Sequence, residues 1–226
     1  MKSCIKDTNN VYFYIMTSHL IHHYLAAFAF GADTKRLQEI FDFHASYQRP
    51  IPAPTTILTR DTYRKEVRNR DAYTSYLNLF TDEIEKHGVL EAVRYWIFKD
   101  EMLAQLLGGL YHPLIHLGYA VEFDLPKVAA EALAMMACCA DYPAPVMKHL
   151  NDKNEQGEEL KTIMNGTETA LDIFQALYAD SDFDNIIKYT DETKAQNVYD
   201  NATAIEKLRE YAGQWHYKGK IKGWGK

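Results

Sequence analysis

The sequence is poor in cysteine, with three among 226 residues: Cys4, Cys138 and Cys139. An odd number that includes a vicinal pair cannot build a disulfide framework and is typical of a reducing compartment, so we expect a cytoplasmic protein. The sequence also lacks a run of about 18 apolar residues and an opening pattern typical of a signal peptide. Neither a membrane span nor export is therefore expected.

Basic residues and nucleotide-binding motifs are scarce as well. Lys and Arg number 25 against 31 Asp and Glu, which gives a formal net charge of −6, and the dense basic run lies at 218–226. This balance argues against a nucleic-acid partner. The absence of a G-x-G-x-x-G or Walker loop and of a G-x-S-x-G elbow excludes the usual glycine turns for dinucleotides or ATP and the usual serine-hydrolase motif.

What the chain has in abundance is helical periodicity. Hydrophobic residues make up 47% and charged residues 25%, as in ordinary globular proteins. Apolar spacing predicts a buried helix over 11–30, an amphipathic helix over 34–47 and packed helices over 71–106. Pro113 and Pro126 are well placed to begin two further helices, the second ending near Cys139. No segment alternates as a strand does, so the prediction is an all-α fold.

The helices are expected to form one multi-helix domain. Residues 1–150 would be its core, with weaker helices at about 159–178 and 201–212 in an extension over 151–216. Polar and charged residues at 151–158 indicate a linker. The Gly- and Lys-rich tail 217–226 is not expected to fold alone.

Four of the nine histidines form two pairs with a spacing of four residues, His19 with His23 and His112 with His116. On a helix this spacing places both imidazoles on one face, one turn apart, which allows them to bind one metal ion. Imidazole ligands suit Zn, Fe, Cu or Ni, so the residues alone leave the metal open. The pairs predict a metal site made by two facing helices.

The competing interpretation is structural, because nine histidines produce some such pairs by chance and a buried histidine often only bonds a carbonyl group. His112 could also cap its helix. His22 would point about 100° away from His23, so we expect it to orient a ligand or to lie at the surface. Three carboxylates could likewise orient a ligand imidazole, and the sequence does not select among them: Glu122, Asp124 and Glu131.

Four ordered blocks of sequence carry a resemblance to a known family. They are SHLIHHYLAAFAFGA at 18–32, SYQRP at 46–50, GGLYHPLIHLGYAVEF at 108–123 and AEALA at 130–134. Together they resemble the questin oxidase-like family, over about residues 12 to 140, with the likeness fading beyond. Members of that family are best known from fungal aromatic polyketide pathways, where they open an anthraquinone-type ring with dioxygen.

The resemblance implies an oxidoreductase that cleaves a polycyclic aromatic polyketide by Baeyer–Villiger-like or dioxygenase-like chemistry. The expected partners are a small aromatic substrate and O₂. The cofactor would be non-haem iron held by His19, His23, His112 and His116. Some relatives require NADPH, but the missing dinucleotide motif argues against its direct binding here. No further catalytic residue is assigned.

The chain also departs from the family pattern. Relatives are longer, so the resemblance implies that this domain is the N-terminal half of a larger family fold. The C-terminal half, which in a relative is expected to contribute a modified lysine ligand and one pocket wall, has no recognisable counterpart here. The helix ending at Cys139 lacks a histidine that relatives often carry. An alternative hypothesis is therefore a truncated, catalytically incomplete helical protein with an interaction role. A metal-dependent hydrolase is a third hypothesis, and the oligomeric state stays open.

Overall fold

The computed structural model describes residues 19–48, 50–99, 102–140, 144, 167–191 and 194–215. The chain separates into two compact units, residues 1–141 and 142–226. Regular structure in these described ranges is helical, apart from isolated bridges such as the one between Glu168 and Trp215, and this confirms the all-α prediction. None of the described helices is long and apolar enough to span a bilayer. The predicted domain boundary at residue 150 stays a prediction.

The described part of the first unit contains seven α-helices. The α-helices are α1 (His19–Ala29), α2 (Thr34–Ala45), α3 (Tyr73–His87), α4 (Val89–Val93), α5 (Leu103–Leu106), α6 (His112–Glu122) and α7 (Pro126–Cys138). A π-helical segment, Arg94–Lys99, continues α4. Three 3₁₀ turns complete the set: Tyr63–Glu66, Arg70–Ala72 and Gly109–Tyr111. As predicted, Pro113 and Pro126 stand in the first turns of α6 and α7.

Helix α7 is the centre of the first unit. Ten of its side chains are buried, and many of them are alanines, whose small size lets α3 and α6 approach it on different faces. Leu133 and Met136 are fully buried, and each contributes about 2–3 kcal/mol through removal of its apolar surface from water. Helix α6 packs in turn against α1, and α1 packs against α2. The order across the unit is therefore α3, α7, α6, α1 and α2.

Helix α1 is less buried than its composition predicts. Its buried residues are Leu20 and Leu25, whereas Phe28 is 54% exposed and Phe30, just after the helix, is 93% exposed. The prediction of a buried helix is therefore wrong for the described part, and residues 11–18 lie outside the described ranges. Helix α2 begins where predicted, because the Asp33 carboxylate accepts a hydrogen bond from the backbone of its first turn.

A half-buried ion pair fixes the segment before α3 to the core. The Arg60 guanidinium donates from Nε to Glu83 Oε2 at 2.9 Å, and Trp96 Nε1 donates to the same oxygen at 3.2 Å. Glu83 is 6% exposed, so its charge depends on these two donors for compensation. Arg60 also lies 4.1 Å above the Tyr95 ring.

The second unit contains α8 (Ala170–Ala179), α9 (Lys194–Tyr199) and α10 (Ala202–Gln214). A capping box between Thr169 and Asp172 starts α8. Helix α10 matches the predicted helix at 201–212 within two residues at either end. Of the predicted helix at 159–178, residues 170–178 are helical, whereas the described residues 167–169 are not. The linker 151–158 and the tail 217–226 lie outside the described residues.

Candidate functional site

The interface between α1 and α6 is lined by histidines that meet in pairs. His19 Nε2 lies 3.0 Å from His112 Nε2, and His22 Nε2 lies 3.2 Å from His116 Nδ1. The His22 and His112 rings are also stacked, with centroids 5.7 Å apart. Four imidazoles from two helices thus form one group, which we name the α1–α6 histidine cluster: His19, His22, His112 and His116.

The second nitrogen of each α6 imidazole is held by an oxygen atom. His112 Nδ1 lies 2.6 Å from the Gly109 carbonyl oxygen, and His116 Nε2 lies 3.2 Å from Glu131 Oε2. Carbonyl and carboxylate oxygens accept hydrogen bonds, so these two nitrogens carry the ring protons. In the neutral rings, His112 Nε2 and His116 Nδ1 therefore present lone pairs towards α1.

Partial desolvation and the neighbouring histidines lower the pKa of both α1 imidazoles in the cluster. Desolvation, together with the neighbouring His116, His112 and His19, lowers the pKa of His22 to about 4. Desolvation and His112 also lower the pKa of His19. At neutral pH both rings are therefore neutral. With the proton on Nε2, each ring can donate a hydrogen bond to a lone pair of an α6 imidazole. With the proton on Nδ1 instead, Nε2 is free to bind a metal ion.

His23 turns away from this cluster and faces α2. Its Nδ1 lies 3.1 Å from His44 Nε2, and the other nitrogen of His44 contacts the Tyr47 hydroxyl group. His44 is 5% exposed, and desolvation, with smaller contributions from His23 and His19, lowers its pKa. The structure thus brings three of the four predicted ligands together, adds His22, and places His23 in a separate pair.

Helix geometry explains why His22 and His23 separate. Successive residues are rotated by about 100° around a helix. His22 and His23, three and four residues after His19, therefore lie on either side of the helix face that carries His19. Because α1 lies between α6 and α2, His22 reaches α6 whereas His23 reaches α2. The spacing of three residues was visible in the sequence, but the position of the neighbouring helices was not.

The α1–α6 histidine cluster resembles a metal site in two respects: its donors are imidazole nitrogens, and the nitrogen–nitrogen distance within each pair is suitable. Two nitrogens bound to one metal at about 2.1 Å lie about 3.0–3.4 Å apart, close to the spacing of both pairs. Each α6 imidazole also has an oxygen partner on its other nitrogen, as metal-ligating histidines usually do. As they stand, however, no three His, Cys, Asp or Glu side chains among the described residues are arranged to hold a metal ion. Binding would require side-chain rotation that merges the two pairs.

The turn before α6 is strained. Leu110 and Tyr111 have left-handed backbone conformations, with φ of 54° and 63°, which cost L-residues roughly 1–2 kcal/mol each. Strain of this kind persists where the surrounding structure requires it, often beside functional residues. Here the turn carries Gly109, whose carbonyl holds His112, and leads directly into that histidine.

Sequence reasoning named Glu131 without selecting it and missed two further contributors to this region, Tyr119 and His44. Glu131 contacts His116, which distinguishes it from the other two carboxylates considered above. Tyr119, one turn beyond His116 on α6, stacks on His22 at 5.8 Å between ring centroids. His44 forms no helical pair with another histidine in the sequence, so only the packing of α2 against α1 shows its place.

Known fungal oxidases and monooxygenases are similar to this chain in sequence. The chain is 38% identical over 131 residues to the questin oxidase of Aspergillus fumigatus, a match that covers 54% of this chain and 29% of the relative. It is 36% identical over 148 residues to the Baeyer-Villiger monooxygenase AacuH of Aspergillus aculeatus, covering 60% of this chain and 31% of the relative. The chain thus matches under a third of the length of these relatives.

A longer match exists to the Baeyer-Villiger oxidase mdpL of Emericella nidulans, which is 28% identical over 176 residues. The sequence model described as questin oxidase-like matches residues 16–222. The family model thus extends beyond residue 140, where the likeness was expected to fade, whereas the match to the Aspergillus fumigatus questin oxidase spans 131 residues. The chain belongs to the questin oxidase-like family.

Proposed function

We propose that the chain is an oxidoreductase that uses dioxygen to cleave a ring of a polycyclic aromatic polyketide. Its reaction centre would be the α1–α6 histidine cluster. The observation that supports this most is the pairing of neutral α1 imidazoles with α6 imidazoles whose lone pairs face them. The names of the matched relatives, which include questin oxidase and Baeyer-Villiger monooxygenase, agree with this class of reaction.

The proposed cofactor is non-haem iron, held by His19, His22, His112 and His116. The iron would supply the electron transfer that dioxygen needs before it reacts with a closed-shell aromatic substrate. Gly109 and Glu131 would hold the two α6 imidazoles in the required tautomers. NADPH is not expected to bind the chain directly, because its sequence lacks the glycine-rich dinucleotide turn.

Apolar side chains next to the cluster are suited to a flat substrate. Leu110 and Tyr111 precede His112 and are 65% and 53% exposed, although both are large and apolar or aromatic. An aromatic substrate that covers them would remove their surface from water and exclude solvent from the imidazoles. This is the role that we propose for the two side chains.

The two forms of the reaction differ in the fate of the oxygen atoms. In the dioxygenase-like form, a ring carbon–carbon bond breaks and both atoms of O₂ enter the product, so no outside reductant is needed. In the Baeyer–Villiger-like form, one oxygen atom is inserted beside a carbonyl group and the other becomes water. That form requires two electrons and two protons from a reductant of the nicotinamide class.

Isotope labelling tests the proposal and separates these forms. Purified protein loaded with Fe(II) would be given a hydroxyanthraquinone and ¹⁸O₂, with and without NADPH, and the product would be analysed by mass spectrometry. We expect ring-opened product carrying one or two labelled atoms from wild type and from His87→Ala, an exposed histidine of α3. The His22→Ala, His116→Ala variant should give none. Equal product from that variant, or no labelled product from wild type, would contradict the proposal.

The alternative is a catalytically incomplete protein with an interaction role. Exposed large apolar side chains favour it, among them Phe30 at 93% and Ile57 at 89%. Such surface often marks a protein interface. Sedimentation of the purified chain over a range of concentrations tests this hypothesis, which predicts self-association or aggregation, whereas a stable monomer that turns over substrate would exclude it.

A further inference from the structure

The turn before α6 is seated tightly on the end of α7. A Cβ atom built on Gly108 would lie 2.4 Å from the Ala140 backbone oxygen and 2.9 Å from Cys139 Cβ. A Cβ atom on Gly109 would lie 3.0 Å from Cys139 Sγ. Both glycines therefore lie where no larger residue fits without movement. We name Gly108, Gly109 and Cys139 the α7 clamp.

The clamped turn ends at a functional side chain. Its backbone runs through three left-handed residues, Gly109, Leu110 and Tyr111, with φ of 55°, 54° and 63°. The Tyr111 amide donates to the Gly108 carbonyl at 3.1 Å, which closes the turn. The Gly109 carbonyl then accepts from His112 Nδ1 at 2.6 Å. A shift of Gly109 would therefore move the group that fixes the His112 ring.

Cys139 contributes to this clamp by packing, not by thiol chemistry. The side chain is 3% exposed, and burial raises its pKa to about 11. The thiol is therefore protonated at neutral pH, and it is neither a nucleophile nor a ready metal ligand. What it offers the turn is a sulfur atom in contact range of Gly109.

We propose that the α7 clamp positions His112: Cys139 and the two glycines hold the Gly109 carbonyl where it keeps the proton on His112 Nδ1 and directs Nε2 towards His19. Cys139 is thus a positioning residue, since it acts on His112 through Gly109. Only the expected effect of the α7 clamp on metal affinity rests on the proposed function. The tautomer itself is a property of the metal-free protein.

The first experiment measures that tautomer directly. Long-range ¹H–¹⁵N spectra of metal-free protein, labelled at histidine, would be recorded for wild type, Gly109→Ala and Gly88→Ala. Gly88 is a matched control, because it also has a left-handed φ of +79° but nothing lies within 4 Å of its added Cβ. We expect His112 to carry its proton on Nδ1 in wild type and Gly88→Ala, and to populate the other tautomer in Gly109→Ala.

The second experiment tests the contact with Cys139. In the Gly109→Ala, Cys139→Ala double variant, the sulfur atom that the new methyl group meets is gone, so part of the wild-type tautomer population should return. Co(II) affinity should fall about 10–100-fold in Gly109→Ala, as for other groups that orient metal ligands, and recover in part in the double variant. Gly88→Ala should bind Co(II) like wild type.

A second pair of variants keeps the test valid if Gly109→Ala does not fold. Cys138 and Cys139 are both buried, at 1% and 3% exposure, but only Cys139 faces the turn. Cys139→Ala alone should weaken Co(II) binding several-fold, whereas Cys138→Ala should lose stability without this loss.

Three results would contradict the proposal that the α7 clamp positions His112. Identical tautomers in Gly109→Ala and wild type, the absence of any rescue by Cys139→Ala, or equal effects of the two cysteine variants would overturn it. Failure of wild type to bind Co(II) would count against the proposed function, while the tautomer measurement would still test the clamp.

Discussion

Acidification should destabilise the metal-free protein between about pH 6.5 and pH 4. In the unfolded chain, His22 takes up a proton as the pH falls through its ordinary pKa of 6.5, whereas in the folded protein its pKa is lowered to about 4. The unfolded state therefore binds more protons in this range, and the free energy of unfolding falls as the pH falls. The lowered pKa values of His19 and His44 act in the same direction.

The magnitude follows from the lowered pKa of His22. A tenfold change in proton affinity corresponds to about 1.4 kcal/mol, so a fall from 6.5 to about 4 would cost at most about 3.4 kcal/mol. Because His22 is only half-buried, solvent screening reduces this figure. We expect about 1–2 kcal/mol of unfolding free energy to be lost through His22 by pH 4.

Urea unfolding with EDTA at pH 7.5 and pH 4.5 measures this loss. Trp96 is fully buried in the first unit and can report its unfolding by fluorescence in a Trp215→Phe, Trp224→Phe background. His22→Gln cannot titrate, so it should lose about 1–2 kcal/mol less stability than the parent protein over this interval, and His87→Gln should behave like the parent. The reasoning would be refuted if His22→Gln and the parent lost the same stability.

Three further changes should have separable effects. Glu131→Gln removes the charged acceptor of His116 and should weaken Co(II) binding about 10–100-fold in a titration, with little change in thermal stability. Arg60→Met leaves Glu83 buried without its cation and should cost about 1–3 kcal/mol in urea unfolding, more than Glu83→Gln, because Arg60 is partly exposed and Trp96 still donates to Glu83. Thr169→Ala removes the cap of α8 and should cost about 1 kcal/mol in the second unit, with unchanged Co(II) affinity.

Much of the helical framework could be predicted from local chemistry. Pro113 and Pro126 mark the starts of α6 and α7, and Asp33 caps α2. These features depend on residues close together in the chain, where caps and periodicity act. The low burial of α1 could not be predicted, because composition does not show which of its faces a neighbouring helix covers.

The chemical type of the candidate site could be predicted from the sequence, but the full set of its residues could not. The sequence indicates an imidazole group on two facing helices, and the structure brings His19, His112 and His116 together. The sequence does not show that His22 faces α6 or that His23 faces His44, since both contacts depend on where α1 lies between its neighbouring helices. Whether any of these imidazoles holds a metal stays a prediction.

The central claim is that the α1–α6 histidine cluster is a metal centre, and metal content tests it most directly. Elemental analysis would be performed on untagged protein for wild type, for His22→Ala, His116→Ala, and for His23→Ala. We predict near-stoichiometric iron in wild type and in His23→Ala, and its loss from the His22→Ala, His116→Ala variant. Absence of metal from wild type, or loss of iron from His23→Ala with retention in the double variant, would contradict the account.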